Sequence, residues 1–420
     1  MIASQSFPQR AAQWLAFGSA IAIIFSIAAS QILLALALVA LLLSGEPLRL
    51  PRIKLPLALF ILGTILALAF SGNAAGGLPQ IRKFYVFAEL LVVFSALREM
   101  KLIRWLFLTW AACGSIAAGW GIVQFLQKLQ QAKAANSDDY SFYVGERITG
   151  FMSHWNTFSA QEMFALIMIG AFVLFAPNVR RRILWIGVAG LLAVAVLLAE
   201  TRAVWLATAV AALYLVWFWR RWLITLVPVA IAIAFFASPP VIRERFDSLV
   251  HAKNIDSNEF RKVTWRTGLR MIEAHPFLGL GPEGPKYRFD EFMPADVPQP
   301  RPDGWYGHLH NIYLQYAAER GIPTMLVMMW MLLEILYDFW RGVRALPPGP
   351  SNRKFLLHGG IALVLATMTE GVAEYNLGDS EVLTMFLVVV ACGYLALELE
   401  PAPVVAQALP PVHVTSTPAR

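Results

Sequence analysis

The sequence predicts an all-α integral membrane protein with about twelve transmembrane helices and one large, partly helical outer loop. Three observations support this fold class: 58% of the 420 residues are hydrophobic, only 15% are charged, and the mean hydropathy is +0.59. Such a chain is too apolar for an ordinary soluble domain. Cys113 and Cys392 lie far apart within apolar runs, so the sequence indicates neither a disulfide framework nor a thiolate metal site.

The transmembrane assignment depends on apolar windows that are long enough to cross a hydrocarbon layer about 30 Å thick. Twelve such windows are present, at 11–27, 29–44, 55–71, 82–98, 104–127, 157–176, 183–199, 203–219, 221–238, 323–340, 354–370 and 381–398. They divide the chain into residues 1–238 with helices one to nine, a large outer loop at 239–322, helices ten to twelve at 323–398, and a tail at 399–420. A smaller outer loop lies at 128–156, and the Pro-rich and Ala-rich tail is predicted to be disordered.

The distribution of basic residues predicts the orientation. With the N-terminus inside, the cytoplasmic connections carry 17 Lys and Arg residues and the short outer loops carry six. Positive charge in short loops marks the cytoplasmic side, so we expect both termini in the cytoplasm and both larger loops outside. The large loop is itself basic, which calls for an anionic partner or for neutralisation by nearby acids.

Several arginines fall on the outer side, where an anionic partner would be met. Arg147 lies in the small loop and Arg202 in a short break between two apolar runs. The segment SNEFRKVTWRTGLRMIEAH, residues 257–275, is predicted to be an amphipathic helix that carries Lys262, Arg266 and Arg270 at i, i+4 and i+8. Arginine suits phosphate because its planar fork makes two charge-assisted hydrogen bonds. The alternatives are a solvated helix face and, for Arg202, an interfacial arginine paired with Glu200.

The stretch HLHNIYLQYAAERGIPT, residues 308–324, follows the large loop. Gly321 and Pro323 predict the end of one helix and the start of the next. Residues 310–320 are therefore expected to form a short helix at the outer surface, with His310 at its start. The positive end of a helix favours the neutral form of histidine, which a general base requires. The alternative is a histidine with a purely structural role.

These segments resemble the O-antigen ligase family. His310-Asn311, nine residues and then Gly321-Ile-Pro-Thr324 match its H-[NSQ]-x9-G-x-x-[GTY] pattern. RITGFMSHWNTFSAQ (147–161), ETRAVWLA (200–207) and WRTGLRMIEAHPFLGLGP (265–282) resemble further segments of the same superfamily, in the same order. The resemblance implies a bacterial inner-membrane glycosyltransferase of GT-C-like architecture with a periplasmic active site. Its donor would be O-antigen carried on undecaprenyl diphosphate, and its acceptor lipid A–core.

The resemblance also implies residue roles. His310 would be the general base, and Asn311 would orient the sugar or the histidine. The arginines would bind the diphosphate; the candidates are Arg147, Arg202, Arg266, Arg270 and Arg288. Glu370, Glu374 and Asp379 would either neutralise these arginines or, in one case, orient His310. The sequence contains no Asp-x-Asp element, so we expect a metal-independent reaction, no cofactor, and no nucleic-acid partner.

Other functions compete with the ligase. O-antigen polymerases and protein O-oligosaccharyltransferases belong to the same superfamily. A transporter or flippase for an anionic solute would also use arginines, although it should carry charged or interrupted segments near the middle of the membrane. A scaffold for envelope assembly would need no chemistry. The sequence does not indicate the sugar, the acceptor hydroxyl, the stereochemical outcome or the oligomeric state.

Overall fold

The computed structural model describes residues 6–136, 138, 142, 143, 145–247 and 258–399. Within these residues the regular structure is helical and no strand is present. The helices are α1 (Phe7–Ala22), α2 (Ile27–Leu43), α3 (Lys54–Phe70), α4 (Ala74–Arg82), α5 (Ala88–Ala96), α6 (Met100–Ala134), α7 (Trp155–Phe175), α8 (Arg182–Leu198), α9 (Arg202–Arg220), α10 (Val227–Ala237), α11 (Pro240–Asp247), α12 (Asn258–Ala274), α13 (Gly284–Tyr287), α14 (Phe289–Phe292), α15 (Ile312–Ala345), α16 (Asn352–Glu370) and α17 (Ser380–Glu398). The tail from residue 400 onwards lies outside the described residues.

Five helical stretches are long and apolar enough to cross a membrane. They are α6, α7, α15, α17 and the combined stretch Arg202–Ala237, which contains α9, a 3₁₀ turn and α10. Three shorter apolar helices, α2, α3 and α8, have 17 residues each, or about 25 Å at 1.5 Å per residue. The protein is therefore a multi-pass α-helical membrane protein. The twelve windows all lie on helical segments, but their number as membrane crossings stays a prediction.

The centre of the bundle is formed by α7, α16 and α17. In α7 and α17, 83% of the most apolar window is buried, which explains why these helices are apolar on all sides rather than on one face. Aromatic rings fill the space between helices: Phe172 of α7 packs edge to face against Phe355 of α16, at 5.6 Å between ring centroids, and Phe107 of α6 also packs edge to face with Phe355, at 6.2 Å. At the periphery, α10 has no buried residue.

One end of the bundle collects the helix termini that matter for the site. Helices α7, α9 and α17 begin there, and α16 ends there, as shown by the residues of all four that line one common cavity. Helix α7 begins after His154, whose Nδ1 accepts a hydrogen bond from the backbone N–H of Asn156 at 3.2 Å. The described residues of the segment 240–311, namely 240–247 and 258–311, cover the same end of the bundle. We call this the outer segment.

The outer segment has a small hydrophobic core of its own. Helix α12 buries Val263 and Met271 against Leu280, Phe289 and Leu309, and this cluster extends to Ala318 of α15. The apolar face predicted for α12 is therefore the face that packs. Its packing fixes α12 against the start of α15, next to His310.

Helix α15 is interrupted at Gly321, as the sequence predicted. Gly321 has φ 79° and ψ 161°, and the backbone carbonyl of Phe277 lies where a Cβ would be, so only glycine fits. The carbonyls that the interruption leaves unpaired are used by the Gly-rich turn that follows α12. The N–H of Leu280 donates to Ala318 at 2.8 Å, and the N–H of Gly281 donates to Glu319 at 2.9 Å.

The first part of α15 does not lie at the surface, as the sequence led us to expect. Gln315, Glu319 and Arg320 are all buried, with 1–3% of their surface exposed. Glu319 pairs with Arg320 and accepts a hydrogen bond from Gln315 at 2.9 Å, and Arg320 donates to Thr64 of α3 at 3.1 Å. The polar stripe of this helix is therefore an internal network, since the outer segment covers it.

Candidate active site

A cavity of about 1120 Å³ opens at the end of the bundle where the outer segment docks. Its walls come from four parts of the chain that are distant in sequence: the loop before α7, the start of α9, the outer segment with His310, and the turn between α16 and α17. Four arginines line it: Arg147, Arg202, Arg245 and Arg261. Three histidines line it as well: His154, His308 and His310. Six carboxyl side chains complete the lining: Glu259, Asp303, Glu370, Glu374, Asp379 and Glu381. The cavity is therefore a polar chamber with charges of both signs at the end of a membrane protein.

The position of His310 depends on its backbone conformation and on the hydrogen bonds of the next residue, Asn311. Its φ of 47° lies in the left-handed region, which is uncommon for residues other than glycine and asparagine. The next residue, Asn311, caps α15: its Oδ1 accepts hydrogen bonds from the N–H groups of Tyr313 and Leu314 at 3.0 and 2.9 Å. Its Nδ2 donates to the carbonyl of Val372 at 2.8 Å. Asn311 thus ties the His310 turn to the turn between α16 and α17 and does not line the cavity.

Glu374, in that same turn, contacts His310 directly. Its Oε2 lies 3.3 Å from Nδ1 of His310, and its Oε1 forms an ion pair with Arg261 of α12. Burial acts to raise the pKa of Glu374, but the charge of Arg261 and the contact with His310 outweigh burial and lower this pKa to about 2. Glu374 is therefore an anion that Arg261 and the ring of His310 share.

Both ring nitrogens of His310 face oxygen acceptors. While Nδ1 faces Glu374, Nε2 lies 3.1 Å from the backbone carbonyl oxygen of Trp305. A carboxylate and a carbonyl only accept, so each contact is a hydrogen bond when the ring nitrogen that faces it carries a proton. For Nε2 to take up a proton from a substrate, the Trp305 carbonyl has to leave first.

His308 is a neutral imidazole. Its Nδ1 accepts a hydrogen bond from the backbone N–H of His310 at 3.1 Å, which fixes the neutral ring with its proton on Nε2. Burial, together with the positive charge of His310, lowers the pKa of His308 to about 3. The two rings lie 4.0 Å apart between centroids. His308 therefore supports the His310 turn as a neutral ring.

Arg147 has a buried guanidinium nitrogen that could donate a hydrogen bond to an anion. Its Nε is buried and has no hydrogen-bond partner among the described residues, and its guanidinium lies over the ring of Trp155 at 5.0 Å. Burial and the like charge of Arg245 lower the pKa of Arg147 to about 9. It still carries its charge at neutral pH, so it is a half-buried cation whose Nε has a hydrogen bond to offer.

Two further arginines line the same wall. Arg202, at the first turn of α9, donates to Oδ1 of Asn258 at 2.7 Å, which joins α9 to the start of α12. Arg245 of α11 is 2% exposed, and its Nε donates to the carbonyl of Glu200 at 3.2 Å. The structure therefore brings Arg147 and Arg202 into one cavity with His310, as the sequence analysis required.

Three other candidate arginines lie elsewhere. Arg266 pairs with Asp296 at 2.7 Å, Arg270 donates to the carbonyl of Met293 at 3.2 Å, and Arg288 pairs with Glu291 at 2.7 Å. All three are at the outer face of the outer segment and none lines the cavity. For Arg266 and Arg270 the reason is helical geometry, because residues four apart share one face of α12. That face points to solvent, whereas Arg261, about 140° from Arg266 around the helix, points to Glu374.

Of the three candidate acids, only Glu374 contacts His310. Glu370 accepts a hydrogen bond from Nδ2 of Asn376 at 3.0 Å, and Asp379 accepts one from Oγ1 of Thr157 at 3.0 Å. Burial raises the pKa of Asp379 to about 6. Both acids line the cavity. Among the described residues, no group of three or more His, Cys, Asp or Glu could hold a metal ion.

Sequence reasoning missed Arg261, Arg245 and Trp305 as site residues. Arg261 borders the apolar face of α12 next to Phe260, and only packing shows which border faces inwards. Arg245 lies among several loop arginines with no distinguishing pattern. Trp305 contacts His310 through its backbone carbonyl. Every residue has such a carbonyl, so the residue type does not indicate this contact.

The fold and the cavity together define the class: a multi-pass α-helical membrane protein with a charged chamber at one end of its bundle. Residues 187–329 match the sequence model of the family described as O-Antigen ligase. This match covers about a third of the chain, and it confirms the resemblance to the O-antigen ligase superfamily over that segment. Members of the family are glycosyltransferase-like enzymes of lipid-linked sugar transfer. No curated protein matches the chain significantly.

Proposed function

We propose that the protein is an O-antigen ligase that transfers O-antigen from undecaprenyl diphosphate to lipid A–core on the periplasmic side of the bacterial inner membrane. One observation carries the proposal. The His310–Glu374 pair lies in the same cavity as Arg147, whose buried Nε has no partner among the described residues. A proton acceptor and a half-buried cation in one cavity are what transfer from a diphosphate requires.

The bond changes assign a task to each group. The oxygen of an acceptor hydroxyl forms a bond to the anomeric carbon of the donor sugar, and the bond from that carbon to the diphosphate oxygen breaks. The hydroxyl proton passes to Nε2 of His310, and the bonding electrons leave with the diphosphate. The reaction is balanced without a redox partner, and the charge that develops lies on the diphosphate.

Glu374 positions the base. Its carboxylate holds the proton of His310 on Nδ1, so that Nε2 is the nitrogen that receives the acceptor proton. Because Arg261 keeps Glu374 anionic, the same carboxylate also stabilises the imidazolium formed during transfer. Arg261 is too closely engaged with Glu374 to be assigned to the diphosphate as its main task.

Arg147, Arg202 and Arg245 would bind the departing diphosphate. Arginine donors in a water-poor cavity are worth more than in water because the local dielectric is low. They would supply the positive charge that many transferases obtain from a divalent ion, so we propose a metal-independent reaction with no cofactor. Arg266, Arg270 and Arg288 could assist only at the outer surface, where solvent screens their charge.

The same proposal includes the membrane arrangement. We propose twelve crossings in a GT-C-like architecture, with both termini cytoplasmic and the outer segment periplasmic. The excess of basic residues in the short loops on the opposite side supports this orientation. The placement of the four cavity arginines at one end of the bundle fits surface chemistry better than a transport path through the membrane.

The test is an in vitro reaction of the purified protein with undecaprenyl-diphosphate-linked glycan. One reaction contains lipid A–core as acceptor, and a second contains only further donor. Transfer to lipid A–core supports the ligase, whereas elongation of the donor alone identifies a polymerase. The variant His310→Asn should lose transfer by about 10²–10⁴-fold while still binding donor.

Asparagine is the preferred substitution because it tolerates the left-handed backbone of residue 310, and His310→Ala should show the same loss. The matched control is His275→Asn, which removes a histidine of the outer segment that does not line the cavity. A His310→Asn variant that transfers at the wild-type rate would remove the base from the mechanism.

A further inference from the structure

Trp305 combines two features that the proposed mechanism does not use. Its backbone carbonyl faces Nε2 of His310 at 3.1 Å, and its side chain is 59% exposed although it lines the cavity. A large aromatic ring left open at the mouth of a polar cavity is a typical feature of a recognition surface. The indole stands nearly perpendicular to the ring of His308, at 4.6 Å between centroids.

The carbonyl occupies the position that the acceptor must reach. A hydroxyl that gives its proton to Nε2 has to lie at hydrogen-bond distance from that nitrogen, where the Trp305 oxygen lies now. The acceptor therefore replaces the carbonyl. The carbonyl and the indole both belong to Trp305. A sugar that displaces the carbonyl therefore lies next to the indole.

Two glycines, Gly304 and Gly307, let the backbone on either side of Trp305 pass close to aromatic rings. A Cβ at Gly307 would lie 2.1 Å from Cζ2 of the Trp305 indole, and a Cβ at Gly304 would lie 2.4 Å from Cγ of Phe260. Glycine is required at both positions for the segment to pass these rings so closely. Gly307 thus sets the position of the indole, and any side chain there would displace it.

We propose that Trp305 is the acceptor-recognition residue, and that its indole is the platform on which a pyranose ring of the acceptor oligosaccharide stacks. This rests on the proposed function, in which the acceptor is a glycan. The C–H groups on one face of a pyranose carry partial positive charge and pack against the negative face of an aromatic ring. The stacked sugar places one hydroxyl at Nε2 of His310 in place of the carbonyl. The hydroxyl at Nε2 of His310 belongs to the acceptor and not to the donor, because the acceptor hydroxyl supplies the proton that His310 takes up.

The experiment measures the KM for the acceptor and the KM for the donor separately. Trp305→Ala should raise the KM for the lipid A–core acceptor by about tenfold, which corresponds to one stacking contact, and leave the KM for the donor unchanged. Trp305→Phe keeps an aromatic face and should recover most of the loss. The control is Tyr287→Ala, since Tyr287 is an exposed aromatic residue of the outer segment that does not line the cavity.

A binding measurement makes the test independent of turnover. The delipidated core oligosaccharide is titrated against the wild-type protein and Trp305→Ala in detergent, without donor, and thermal unfolding reports whether the variant is folded. A Kd weakened about tenfold by Trp305→Ala supports the platform even if transfer to lipid A–core is not observed, in which case only the ligase assignment fails. An unchanged Kd and acceptor KM, or a change in the donor KM alone, overturns the proposal for Trp305.

Discussion

Glu374 and His310 are 64 residues apart in the chain, yet Oε2 of Glu374 lies 3.3 Å from Nδ1 of His310. Arg261, from a third element, binds the other oxygen of the same carboxylate. Three parts of the chain therefore meet at one buried anion. Its contacts lead to several measurable expectations.

The charge of Glu374 should matter more than its size. Glu374→Gln keeps the shape of the side chain but removes the anion that holds His310 and Arg261, so we expect kcat to fall by about 100-fold. Removing one partner of a buried ion pair also costs about 3–5 kcal/mol of stability. The double variant Arg261→Gln/Glu374→Gln removes both charges and should regain stability without regaining kcat.

Steady-state rates and thermal unfolding separate these two effects. The control is Asp290→Asn, which removes an exposed carboxylate of the outer segment that pairs with Arg301. If Glu374→Gln retains the wild-type kcat, Glu374 has no part in positioning His310.

His308 should make stability depend on pH. Its pKa is lowered to about 3 in the folded protein, chiefly by burial, whereas an unfolded chain has the ordinary value of about 6.5. Between these values the unfolded state binds more protons, so stability is complete above pH 6.5 and is lost as the pH falls towards 3. Thermal unfolding midpoints across this range should fall less steeply for His308→Asn than for the wild type.

Asparagine is suited to this test because its side-chain oxygen can accept the N–H two residues on, as Nδ1 of His308 does. The same titration of His275→Asn serves as the reference. Parallel curves for wild type and His308→Asn would show that His308 does not titrate differently in the folded protein.

Arg147 should contribute to donor binding through geometry as well as charge. Arg147→Lys keeps a cation but loses the planar fork, so we expect the KM for the undecaprenyl-diphosphate donor to rise by about tenfold, with a larger rise for Arg147→Ala. Arg301→Lys is the matched control, because Arg301 is exposed at the outer face of the outer segment. A donor KM that is unchanged in Arg147→Ala would place the diphosphate elsewhere.

The position of Arg266 gives a related expectation. Because it is half exposed and paired with Asp296, Arg266→Ala should raise the donor KM less than Arg147→Ala does. The opposite ranking would place the donor diphosphate at the exposed face of α12 and not in the cavity.

Asn311 should act on the rate through the position of His310. Asn311→Ala removes the cap of α15 and the bond to Val372, and we expect a stability loss of about 1 kcal/mol together with a lower kcat. Ser351→Ala is the comparison, since Ser351 caps α16 by accepting the N–H of Lys354 at 3.0 Å, remote from the cavity. Both should lower the unfolding midpoint alike, and only Asn311→Ala should slow transfer. Equal transfer rates for the two would mean that Asn311 is only a helix cap.

Much of the fold could be predicted because each element depends on a local signal. Apolar windows of membrane length predicted helical segments, and Gly321 predicted the break in α15, because its φ of 79° suits glycine far better than any residue with a Cβ. The surface position expected for residues 310–320 was wrong. Their polar stripe of Gln315 and Glu319 gave the pattern of a solvated face, but the outer segment covers it and satisfies it internally.

The site was only partly predictable. His310, Arg147 and Arg202 stood out because charged groups next to apolar runs are uncommon. Arg261 and Lys262 are adjacent and both basic, and nothing in their order shows which one faces the cavity. That depends on how α12 packs through Val263 and Met271 against Leu309.

The sequence by itself determined the membrane class, the helical segments, the family resemblance and the candidate histidine, because these follow from composition, periodicity and a short motif read along the chain. Only the tertiary structure decided which arginines share a cavity with His310, that Glu374 rather than Glu370 or Asp379 touches its ring, and that the Trp305 carbonyl faces Nε2. The physical reason is distance in the chain. These contacts join residues brought together by packing, and a hydrogen bond between them depends on ångström-scale positions that no local pattern encodes.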